Sequence, residues 1–160
     1  MVEVFENINY LIQKIKEDKK TKNVTEKRFT VRYIFLSNFD TLRDLIKETS
    51  KIGITTFEIS QFLPKDDGWI TKQEFIDKIK SLEDNKDYLL LPFSEIARFY
   101  NKQDFNNLFS QLTELENIAN SNQRIYIPLM GIKVRFENEF YKNFNRKIEY
   151  SFVWEIYESI

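Results

Sequence analysis

Apolar and polar positions along the chain follow two different periods. Val4, Ile8, Leu11, Ile12 and Ile15 recur at helical spacing with charges on the opposite face, which predicts a leading helix. It runs into Glu17-Asp18-Lys19-Lys20-Thr21-Lys22, a polar stretch that reads as a solvated connector. Phe29 to Leu36 (FTVRYIFL) is instead almost continuously apolar and rich in β-branched and aromatic residues, as a buried strand requires. Ser37-Asn38 can cap the next helix, which turns Leu42, Leu45, Ile46 and Thr49 inward and stops at Gly53, a good left-handed C-cap. Ile54–Ile59 is a second strand, and Thr71 to Glu74 is a capping box opening a helix with Phe75, Ile76, Ile79 and Leu82 on one face.

The alternation continues. Tyr88–Pro92 (YLLLP) predicts a third strand, followed by a short helix from Ser94 through Phe99. Asn101 opens a longer helix carrying Phe105, Leu108, Phe109, Leu112 and Leu115. Arg124–Leu129 (RIYIPL) is a fourth strand, with Pro128 expected at its end or on an edge because proline donates nothing to a ladder. Ile132–Phe144 reads as helix and Tyr150–Tyr157 as a fifth strand.

Strands separated by helices imply an α/β fold: a mainly parallel, doubly wound, Rossmann-like sheet of about five strands with helices on both faces. The whole of 1–160 reads as a single domain, with 1–27 as leading helix and connector and 28–160 as the sheet core. The fifth strand ends the pattern, so either an edge strand closes the sheet or the domain continues in a longer parent protein.

Composition narrows the chemistry. The 160 residues include no Cys and no His. Thiol nucleophiles, disulfides, His-ligated zinc and Ser-His-Asp catalysis are therefore impossible within this chain, and no metal site is expected. Carboxylate chemistry, a Ser-Lys dyad and Mg²⁺ bound by oxygen ligands remain possible. A net charge of −1 supplies no global field toward nucleic acid or an anionic membrane. The opening MVEVFENINY carries no secretory pattern, and no apolar run approaches membrane-spanning length, so a cytoplasmic location is expected.

In such a sheet ligands bind beyond the carboxyl ends of the strands. The candidates there are Ser37, Asn38 and Asp40, then Ser94, Glu95 and Arg98, and finally Arg135. With three glycines in the chain, neither a G-x-G-x-x-G nor a P-loop occurs, and Phe39 stands where backbone would approach a phosphate. No cofactor is expected. Ser94-Glu95 suits metal or water activation, but the same pair makes an ordinary N-cap with a first-turn carboxylate. Asp67-Gly68-Trp69-Ile70 through Glu74 resembles the second half of a calcium loop, yet Leu63 and Lys65 occupy its first and third ligand positions. A Pro64–Gly68 turn followed by the capping box explains the same residues. Lys14, Lys16, Lys19, Lys20, Lys22, Lys27 and Arg28 form the basic stretch, interrupted by Glu17, Asp18 and Glu26, and read as a solvated face.

Aromatic residues crowd the last third: Phe136, Phe140, Tyr141, Phe144, Phe152, Trp154 and Tyr157. Phe136, Phe140 and Phe144 form one helical stripe, with Tyr141 off it. Core packing accounts for part of this density, and Tyr141, Trp154 and Tyr157 are the candidates for an interaction surface.

The order of elements, with FTVRYIFL, DDGWIT, LLLPFSEIARFY, RIYIPLMGI, RFENEF and a late tryptophan strand, resembles the N-terminal region of PglZ-type proteins over most of residues 28–157. These are alkaline-phosphatase-superfamily proteins of bacterial BREX phage-defence systems. The family's phosphatase-like region lies downstream and uses a metal set rich in Asp and His, so no catalytic residue carries over to this chain. The resemblance implies a non-catalytic leading domain that docks protein partners or the remainder of a longer chain. Two other functions remain open: a small enzyme or nucleotide-binding regulator using the crevice residues, and a weak nucleic-acid-binding accessory using the basic stretch.

Overall fold

The computed structural model describes residues 3–20, 30–36, 38–62, 70–83, 86–91, 107–108, 111–112, 123–130 and 152–156. Six strands form one sheet: β1 (Glu3–Phe5), β2 (Val31–Leu36), β3 (Ile54–Glu58), β4 (Asp87–Leu91), β5 (Ile125–Met130) and β6 (Phe152–Ile156), in the order β1-β6-β2-β5-β4-β3. Every pairing is parallel. Among the described residues the helices are α1 (Ile8–Lys20), α2 (Phe39–Lys51) and α3 (Lys72–Lys80), with a 3₁₀ turn over Ile59–Phe62 and further helical residues at 107–108 and 111–112. The predicted doubly wound α/β architecture is therefore present.

Alternation along β2 divides the core into two layers. Val31, Tyr33 and Phe35 join Phe75, Ile76 and Ile79 of α3 and the helical residues Leu108 and Leu112 on one face. Ile34 and Leu36 point the other way, into a layer made with Leu11, Ile12 and Ile15 of α1 and Leu45 of α2. A strand buried on both sides needs the near-continuous apolar run seen in its sequence. The chain moves from β1 through β2 to β3 under α1 and α2, then returns through β4 to β5 on the α3 side. That single reversal is what crossovers of constant hand produce.

Local signals set the helix ends. Asn7 Oδ1 accepts the Tyr10 N–H at 3.2 Å at the start of α1, and Asn38 Oδ1 accepts the Asp40 N–H at 2.7 Å at the start of α2. Gly53 adopts φ 83° directly after α2, the left-handed conformation that favours glycine. Thr71 and Glu74 form the predicted capping box, with Glu74 N–H to Thr71 Oγ1 at 3.1 Å and Thr71 N–H to Glu74 Oε1 at 3.3 Å. Thr71→Ala is expected to lower stability by about 1 kcal/mol in chemical denaturation, the usual value of a lost N-cap. An unchanged midpoint would show that α3 is held by packing alone.

The structure corrects four expectations. Val4 belongs to strand β1 rather than to the leading helix, so the sheet includes residues of the 1–27 segment; pairing with β6 outweighs a helical period that the segment satisfies equally well. Glu17 to Lys20 continue α1 instead of forming a connector, and Asp18 is buried while Lys19 turns inward. The last strand is interior, between β1 and β2, and closes no edge. Pro128 lies inside β5, opposite Ile34, but the β4–β5 pairing covers only Ile125 and Tyr126. At Pro128 one side of β5 is thus a local edge, and its missing N–H breaks no ladder there. The helices predicted at 94–99 and 132–144 and the Pro64–Gly68 turn lie outside the described residues.

Candidate functional site

Two places in the fold gather functional groups. The first is the carboxyl end of β2, where α2 begins on the face of the sheet opposite to α3 and Leu108. Ligands of open α/β sheets bind beyond the carboxyl ends of the strands. Asn38, Phe39 and Asp40 stand there. The Asn38 side chain is used as the helix cap, and the Asp40 carboxylate is ion-paired with Arg43 on the helix surface. A carboxylate in the first turn opposes an anion at this end of α2. Phe39 is 73% exposed, the more exposed of the two large apolar side chains that stand open among the described residues. Ser37, Ser94, Glu95, Arg98 and Arg135, predicted to face the same crevice, lie outside the described residues.

The second place is the amino end of the sheet, beneath α1. Asp18, in the last turn of α1, is buried and accepts from Arg32 Nε at 3.1 and 3.2 Å and from the Tyr126 hydroxyl at 2.9 Å. Arg124 Nε lies 3.4 Å from the same carboxylate. Asp87, at the start of β4, accepts the Arg124 N–H at 2.8 Å and pairs with Lys19 Nζ at 3.4 Å. Lys19 also donates to the Ile52 carbonyl after α2. One ionic network therefore ties both helices of this face to β2, β4 and β5.

Burial sets its electrostatics. Loss of solvent lowers the Arg32 guanidinium from its ordinary value to about 10, with Asp18 opposing the shift. Burial, then Asp18, raises the Tyr126 phenol well above its ordinary 10.0. As pH rises past 10.0 the unfolded chain loses the Tyr126 proton while the fold retains it. The contribution of that hydroxyl is thus complete below this value and declines above it. Arg32 acts with the opposite sign, because above about 10 the fold releases its proton first. Comparing wild type with Tyr126→Phe largely cancels the Arg32 part. The stability difference between the two is expected to narrow from about pH 8 to about pH 11. A constant difference in denaturation experiments would contradict the burial of Tyr126 beside Asp18.

None of Asp18, Lys19, Asp87, Arg124 or Tyr126 stands out as a site in the sequence. Arg32 alone gives a signal, as a cation inside the apolar run FTVRYIFL. Among the described residues no group of three or more acidic side chains is placed to hold a metal ion, and no helix is long and apolar enough to cross a membrane.

The aromatic candidates separate. Trp154 is 1% exposed and stacks on Tyr126 with ring centroids 6.0 Å apart, so it is core and not interaction surface. Its position opposite Ile34, on an interior strand under α1, makes burial unavoidable. Tyr141 and Tyr157 lie outside the described residues. No protein-family model matches the chain, and a search of curated proteins finds no match.

Proposed function

We propose that this chain is a non-catalytic docking domain, the leading domain of a PglZ-type protein of a BREX phage-defence system. The observation that carries the reading is the exposed Phe39 at the carboxyl end of β2. Where a nucleotide-binding sheet of this kind places glycine and free backbone N–H groups, this one presents an aromatic ring flanked by an ion-paired carboxylate. An aromatic anchor with a polar surround is the composition of a protein-binding hot spot. The strongly charged groups that do converge, around Asp18, are consumed inside the fold.

The reading is tested by affinity capture of the tagged full chain from host cells. Co-purification of BREX subunits is expected, and its loss in Phe39→Asp. Phe39→Ala is expected to change stability by less than about 0.5 kcal/mol, as for other surface positions. Capture of no BREX subunit, or capture indifferent to Phe39→Asp, would refute the docking role assigned to this residue.

A further inference from the structure

The second exposed aromatic, Tyr10, is 57% exposed and stands in the first turn of α1, which follows edge strand β1, whereas Phe39 opens α2 after β2. Helix α1 buries Leu11, Ile12 and Ile15 and carries Tyr10, Gln13, Lys14 and Glu17 on another stripe, at spacings of three, four and seven residues. With Phe5 and Glu6 these residues line an open groove of about 470 Å³. That volume lies within the range of about 300–1,000 Å³ common for ligand sites. Lys14 is engaged within the fold. Glu6 and Glu17 are exposed, so the groove offers two carboxylates and a phenol ring against the one cation of Lys14.

Among the described residues β1 pairs only with β6 and stands at the end of the strand order. An edge strand beside a helix is a recurrent seat for an extended peptide: main-chain bonds supply affinity and alternate side chains supply specificity. The groove's charge selects the occupant. Carboxylates and an aromatic face attract a guanidinium or ammonium group and oppose a phosphate or an acidic side chain.

We propose that the groove between β1 and α1 binds an extended peptide segment of a partner protein that presents arginine or lysine, with its backbone along β1 and successive cations over Tyr10 and beside Glu6 and Glu17. The site is separate from Phe39 and does not rest on the role given to that residue.

The test is titration of the isotopically labelled full chain with a short synthetic peptide of alternating valine and arginine, followed by amide chemical shifts. Two controls run beside it: a valine–glutamate peptide and a valine–arginine peptide methylated on its backbone nitrogens. Shifts are expected at Phe5, Glu6, Tyr10, Gln13 and Glu17. Affinity is expected to fall about tenfold, equivalent to about 1.4 kcal/mol, in Tyr10→Ala and in the double variant Glu6→Lys/Glu17→Lys. All three altered positions are exposed, and melting curves of the variants verify that the fold is intact. Equal binding of the glutamate peptide, binding indifferent to backbone methylation, shifts centred elsewhere, or no binding at millimolar peptide would each overturn the proposal.

Discussion

Asp18→Asn is expected to destabilise the protein by about 3–5 kcal/mol, the cost of removing one partner from a buried ion pair. The substitution keeps the shape of the side chain and removes only its charge. Arg32 and Arg124 are both fully buried, and both approach this one carboxylate. Without it, two desolvated cations face each other across β2 and β5, and Arg124 already acts to lower the Arg32 value in the native fold. The Tyr126 hydroxyl loses its charged acceptor as well. The measurement is urea denaturation of wild type and variant at neutral pH. A loss below about 1 kcal/mol, the range of exposed ion pairs, would mean that water reaches the cluster. A companion variant separates charge from packing. Replacing Asp18, Arg32 and Arg124 together by Leu, Met and Met is expected to recover much of the loss, since apolar groups of similar volume often replace a whole buried ionic triad without cost.

Trp154→Ala is expected to cost about 3–5 kcal/mol, as large-to-small changes of buried aromatics do. Trp154 is the largest of the fully buried side chains, and it links β6 to the layer under α1 and α2. Its removal leaves a cavity next to Tyr126, whose ring stacks on it and whose hydroxyl holds Asp18. The two sites are therefore coupled, and the double variant Trp154→Ala/Asp18→Asn is expected to lose less than the sum of the single losses. Thermal and chemical denaturation measure this directly. A Trp154→Ala protein with an unchanged midpoint would return this residue to the surface role that its aromatic neighbourhood suggested.

The same residues show why Trp154 was legible in the sequence as important but not as core. A strand alternates faces, so Trp154 had to point to one side of the sheet, but which sides of the last strand are covered depends on its neighbours. Placed at an edge, as its position in the chain suggests, it has room for an exposed face. Inserted between β1 and β2, it has none. β1 itself was hidden because three residues ahead of a helix carry too few positions to reveal a period of two.

Local chemistry, in contrast, was readable wherever neighbouring residues decide the outcome. The Asn38 cap, Gly53 at φ 83°, the Thr71–Glu74 box and the two-sided burial of β2 each follow from a few adjacent residues and their steric or hydrogen-bonding preferences. The parallel α/β class follows from their alternation. What only the tertiary structure decided is the strand order and the fate of the charges. Asp18, Arg32, Asp87 and Arg124 are spread over about a hundred residues of chain; all but Arg32 resemble solvated surface charges, and the apolar run around Arg32 does not reveal its partner. They become a buried network because the crossovers bring the amino ends of β2, β4 and β5 together under the last turn of α1. Desolvation and pairing depend on distance in space, which no local pattern records.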